Sequence, residues 1–154
     1  MRAYQIHSFK DAPSLVDLPL PEPEKSEIRL KISACGLNFA DLLMLKGSYQ
    51  DTPAPPFTMG MEIAGTVEAL GPETDAPAPG TRVAVFAGQG GLAEAGSFPV
   101  NRITPIPDTM PFEEAAGFLV AYGTSHLALG HRARLQRGER LLVLGAAGGV
   151  GLTA

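Results

Sequence analysis

The stretch Glu139-Arg-Leu-Leu-Val-Leu-Gly-Ala-Ala-Gly-Gly-Val-Gly151 leaves the backbone few choices. Leu141 to Leu144 form a short unbroken apolar run, the pattern of a strand buried on both faces of a parallel sheet. Gly145, Gly148 and Gly151 follow at Gly-x-x-Gly-x-x-Gly spacing, with Ala147, Gly149 and Val150 between them. Glycines so spaced serve a tight strand-to-helix turn, close approach to a phosphate and close helix packing. A helix opening near Val150 would aim free amide hydrogens at a dinucleotide pyrophosphate. Only three residues follow Gly151, so the strands that would flank 141–144 are not in the sequence. That strand edge is expected either to be displaced or to pair with another molecule.

The remainder reads as a turn-rich β fold. Eighteen glycines and fourteen prolines fall between short apolar segments, and 45% of residues are hydrophobic, which suits a packed core. No apolar run approaches membrane-spanning length, and Met1-Arg2 does not open a signal peptide. The net charge of -4 comes without a basic cluster, which argues against nucleic acid as a partner. The single cysteine rules out an internal disulfide and fits a cytoplasmic setting.

Arg2 to His7 and Leu15 to Leu18 read as short strands, separated by a proline-rich connector from a clear alternation: Ile28, Leu30 and Ile32 against Arg29, Lys31 and Ser33. From Asn38 to Lys46 the period becomes helical, with Asn38 as N-cap, Asp41 in the first turn and Gly47 ending it. Met61 to Leu70 and Thr81 to Phe86 are further strands, Ser97 to Val100 an edge strand, and Arg102 to Ile106 a weaker one. Pro111 opens the only long helix, with Phe112, Ala115, Ala116, Leu119, Val120, Gly123 and Leu127 on one face. The domain boundary is placed within it: residues 1–123, then 124–154.

The segments Ala34-Cys-Gly-Leu-Asn-Phe-Ala-Asp41, Gly60-Met-Glu-Ile-Ala-Gly65, Pro79-Gly-Thr-Arg-Val83 and Gly145-Ala-Ala-Gly-Gly-Val-Gly151, in this order, resemble the medium-chain dehydrogenase/reductase superfamily. The resemblance implies a mainly β, GroES-like, partly open barrel, a joining helix, and the first strand and glycine turn of a truncated Rossmann α/β domain. In the superfamily's alcohol dehydrogenases, zinc is held by a cysteine where this sequence has Asn38 and by a histidine where it has Met61. An amide and a thioether are poor replacements, so no metal site is expected.

Within the superfamily, Asn38 together with Gly47-Ser-Tyr49 is similar to the zeta-crystallin-like quinone oxidoreductases. This implies hydride transfer from NADPH to a quinone or activated alkene (enone), in a parent protein that is a homodimer. NADH is not excluded, because the residue reading the ribose 2′ position lies beyond the glycine turn. The resemblance places Asn38, Tyr49, Thr124 and Gly145, Ala147, Gly148, Gly149, Val150 and Gly151 at the cofactor, and Tyr49 and Met61 at the substrate. No side chain is assigned as a nucleophile, and the 154-residue piece alone is expected to be inactive. Asn38 could equally be only an N-cap, Met61 only core, and Thr124 only bonded to a helical carbonyl. Asp41 and Glu62 are expected to be structural carboxylates, satisfied by backbone donors or an arginine. Other functions left open are a GroES-like binding module without catalysis and a zinc-type alcohol dehydrogenase relative.

Overall fold

A computed structural model describes all of residues 1–154. It divides into two compact units, Met1–Gly117 and Phe118–Ala154. The division falls six residues ahead of the boundary placed from the sequence.

The first unit is built from eight strands: β1 (Arg2–Ile6), β2 (Ser14–Asp17), β3 (Glu27–Gly36), β4 (Phe57–Thr58), β5 (Glu62–Leu70), β6 (Arg82–Phe86), β7 (Ala95–Pro99) and β8 (Ile103–Pro105). They form a three-stranded sheet ordered β2-β1-β4 and a five-stranded sheet ordered β7-β3-β5-β6-β8, with every pairing antiparallel. The alternation legible in β3 is realised. Ile28 and Leu30 are fully buried and join Ile63, Val67, Val83, Val85 and Phe98 in the core, while Lys31 and Ser33 face water. As expected, β7 lies at a sheet edge.

Two register shifts bend β3 against β5, between Arg29 and Leu30 and between Ile32 and Ala34. At the second, Gly65 lies opposite Ile32, and a Cβ there would overlap the Lys31 carbonyl oxygen. Close backbone approach therefore requires glycine at this point. Helix α1 (Phe39–Met44) starts at its expected cap, Asn38, but its C-cap is Leu45 rather than Gly47, which closes the following turn with φ +64°. Arg82 fixes the segment beyond β8. Its guanidinium donates to the carbonyl oxygens of Pro107, Asp108 and Met110 and lies 4.3 Å from the centre of the Phe112 ring.

Two expectations are corrected. The long helix from Pro111 is broken into α2 (Phe112–Ala116) and α3 (Ala121–His126), followed by a π-helical stretch, Leu127–Arg132. At Gly117 ψ is 5°, and its N–H bonds back only three residues, to the Glu114 carbonyl at 3.2 Å, so the α ladder ends there. On the expected apolar face Ala115 and Ala116 are buried, whereas Gly123 and Leu127 are exposed. Nor do Leu141 to Leu144 form a strand. The segment has no ladder partner, and Leu142 and Leu144 are 82% and 83% exposed. A parallel strand exists only through the ladder bonds its neighbours supply, and 141–144 makes none.

In the second unit, α4 (Gly149–Leu152) is held to α3 by Ser125 and Thr153. The Ser125 hydroxyl donates to the Val150 carbonyl at 2.9 Å and lies 2.6 Å from the Thr153 hydroxyl. Thr153 also donates to the Ala121 carbonyl at 3.1 Å.

Candidate functional site

At the end of β3 the chain stays extended through Asn38 (φ −123°, ψ 159°) before turning into α1. The backbone N–H of Asn38 donates to Asp41 Oδ2 at 2.7 Å, a local carboxylate cap three residues along. Its side-chain Nδ2 donates to Glu62 Oε1 at 2.8 Å, across the β3–β5 pair. Gly36 lies opposite Glu62 in this register, and a Cβ on Gly36 would stand 2.7 Å from the Glu62 side chain. Asp41 and Glu62 are 3% and 2% exposed, so one asparagine serves two buried acids. The expected backbone donor is present for Asp41. Glu62 receives an amide side-chain donor, that of Asn38.

Burial pushes the Asp41 carboxyl above its ordinary value, against the lowering effect of backbone N–H groups of Asn38 and Gly60. Cys35, the residue before Gly36, is pushed up to about 12 by burial, then by the charges of Asp41 and Glu62. From an ordinary 9.0, that removes nearly all thiolate at neutral pH. Iodoacetamide at pH 8 should therefore modify Cys35 in the folded chain at least about 100-fold more slowly than in the urea-unfolded chain. Mass spectrometry over time reads this, and equal rates would contradict the closed environment.

Tyr49 and Met61 line one cavity of about 250 Å³, together with Met44, Asp51, Phe86 and Arg102. Met61 is 3% exposed, so most of its surface is core, with the remainder at the cavity. Asn38 is not in that lining. The Arg102 guanidinium reaches the Phe86 carbonyl at 3.4 Å.

In the second unit Gly145 has φ +68°, and the Gly148 N–H donates to its carbonyl at 2.9 Å. Helix α4 begins directly after Gly148 and contains Gly149, Val150 and Gly151. A Cβ on Gly151 would overlap the Gly145 carbonyl oxygen, so the turn closes as tightly as the spacing implies. Ala147 and Val150 are exposed on this turn. Thr124 is exposed on α3, its N–H bonded to the Val120 carbonyl at 3.0 Å.

The family model described as the alcohol dehydrogenase GroES-like domain matches residues 24–108, more than half of the chain. The chain belongs to the alcohol dehydrogenase GroES-like domain family. The matched span of this GroES-like domain runs from just before β3 through β8 and includes Asn38, Tyr49, Met61 and Glu62. The chain is 36% identical over 156 residues to the quinone oxidoreductase of Rattus norvegicus, covering 99% of this chain and 47% of that protein. The quinone oxidoreductase of Thermus thermophilus, whose structures include a complex with NADPH, superposes with a TM-score of 0.87. It is 42% identical, over 99% of this chain and 48% of that one. The human synaptic vesicle membrane protein VAT-1 homolog-like protein gives 0.93 at 36% identity, over 99% and 50%. The chain spans about a third to a half of the length of the relatives it matches. The resemblance to the medium-chain dehydrogenase/reductase superfamily and its quinone oxidoreductases is thereby borne out. So is the mainly β, GroES-like fold.

Some features were beyond sequence reasoning. Nothing local links Asn38 to Glu62, 24 residues apart, or brings Arg102 to the Tyr49 cavity. Ser125 carried no signal of its own, since it lies between Thr124 and His126 in α3.

Proposed function

We propose that this chain is the N-terminal part of a zinc-free, NADPH-dependent oxidoreductase that reduces a quinone or an activated alkene. The observation that carries the reading is the cavity in which Tyr49 and Met61 meet, Met61 being followed by Glu62, which holds the Asn38 amide. In the family resemblance Asn38 and Met61 take the places of metal ligands. An amide already committed to Glu62 and a largely buried thioether do not fit a zinc donor set, and no step is assigned to a metal.

The nicotinamide, when bound, supplies the hydride. The chain's own residues bind, orient and exclude water. The tight Gly145–Gly151 turn opens α4, and with Ala147 and Val150 it would offer backbone amides to a pyrophosphate. Thr124 would contribute a hydroxyl to the cofactor. The Tyr49 phenol would donate to an acceptor oxygen gaining negative charge, which is strongest where water is excluded. Met61 and Met44 give the acceptor a polarizable, adaptable wall. Placement of the two reactants then does most of the catalytic work.

On this reading residues 1–123 form the GroES-like domain and 124–154 begin a Rossmann domain. The parent is a cytoplasmic homodimer. No helix is long and apolar enough to cross a membrane.

A chimera tests the reading. These 154 residues would replace the matching half of the Thermus thermophilus quinone oxidoreductase. NADPH oxidation would be followed with 1,4-benzoquinone and with an enone. The expected result is turnover by the chimera and none by the 154 residues alone. A folded chimera that binds NADPH and reduces neither acceptor would overturn it.

A further inference from the structure

We propose that Glu62 is a positioning residue for Asn38, fixing which end of its amide is presented to a bound ligand. The inference rests on the proposed oxidoreductase reading, in which the family resemblance puts Asn38 at the cofactor. An asparagine amide can be turned end for end at little intrinsic cost, so something outside it must choose the orientation. Here the chooser is a carboxylate, which can only accept, and Asn38 Nδ2 meets Glu62 Oε1 at 2.8 Å. The reversed amide would set oxygen against oxygen in a place where Glu62 is 2% exposed.

The main chain is held separately, through the Asn38 N–H to Asp41 Oδ2 bond at 2.7 Å. The helix start is thus capped without Glu62, and what Glu62 adds is orientation. One Nδ2 hydrogen is directed at the carboxylate, which turns the carbonyl Oδ1 away from it and fixes the direction of the second Nδ2 hydrogen. The amide is thereby held in one of its two orientations toward whatever it meets. Gly36 belongs to the same device, since its missing side chain leaves the space that Glu62 occupies.

The lock is read in the 154-residue chain by hydrogen exchange of the Asn38 side-chain amide in ¹⁵N NMR. Glu62→Leu should raise that exchange at least about tenfold, as expected when a charge-assisted bond is lost. Glu62→Gln retains an acceptor oxygen and should stay within about threefold of the parent chain. Backbone exchange at Ile28, Leu30 and Ile63 reports that the sheet is intact. Should Glu62→Leu fail to fold, Glu62→Asp, one methylene shorter, takes its place with the same expectation. An Asn38 amide indifferent to the loss of Glu62, or equally fast in the Gln and Leu variants, would overturn the proposal.

Kinetics in the chimera separate this inference from the functional reading. Glu62→Leu should lower kcat at least about tenfold, with Glu62→Gln restoring most of it. An active chimera unaffected by Glu62→Leu sinks the positioning role alone, whereas an inactive parent chimera with the NMR lock intact sinks the functional reading alone.

Discussion

Asn38→Asp should cost about 2–4 kcal/mol of stability at pH 7, because it sets a second carboxylate against Glu62 where an amide donor stood. Two carboxylates in contact share a proton, which raises the apparent pKa of the pair in the folded state above the ordinary value of about 4. Below that value both folded and unfolded chains are protonated, and the deficit disappears. As pH rises toward the elevated folded-state value the deficit grows, and above it the deficit is constant. Urea unfolding at pH 3.5 and pH 7 would therefore separate the variant from the parent only at the higher pH. Adding Glu62→Gln should restore most of the loss, since the new amide can donate to the new carboxylate. A variant as stable as the parent at pH 7 would mean that the 38–62 bond is not made in solution.

Gly65→Ala should be at least as damaging, at about 3 kcal/mol or more, and could leave the five-stranded sheet unformed. The added methyl would overlap the Lys31 carbonyl oxygen and come within 3.1 Å of the Ile32 Cα, both of them backbone. A flexible side chain could turn aside, but β3 can yield only by moving away from β5, which breaks ladder bonds beside its second register shift. Gly123→Ala is the matched control, because a Cβ there meets nothing within 4 Å and the residue is helical. It should be neutral or stabilising by about 1 kcal/mol. Equal midpoints for the two variants would show that β3 and β5 have slack at residue 65.

The contrast between those glycines marks the limit of sequence reading. Turns and caps are local, so Asn38 and Asp41 could be assigned to α1 from spacing alone. Ile28 and Leu30 likewise declared their face by alternation. Long-range neighbours leave no such mark. That Gly36 and Gly65 are spacers between β3 and β5, that Glu62 receives the Asn38 amide, and that Arg82 holds three carbonyls beyond β8 all depend on register. The two misread elements fail for related reasons. The helical period from Pro111 was real, but it could not reveal where Gly117 would end the ladder. The apolar run at Leu141 has a strand's composition, but a strand is a property of its partners, and 141–144 has no ladder partner.

The strand order has a bearing on how the chain assembles as it leaves the ribosome. Strand β3 is interior to its sheet, yet its two neighbours come late: β5 begins at Glu62 and β7 at Ala95. Within the five-stranded sheet, β5 and β6 are the neighbours closest in sequence. At synthesis rates of about 5–20 residues per second, β3 waits roughly 3–12 s for the last of its partners, about sixty residues downstream. During that interval it carries Ile28 and Leu30 with one flank open. The nascent chain is then most exposed to wrong pairing or to chaperone capture, and Arg29 and Lys31, alternating with those apolar residues, keep the waiting strand charged.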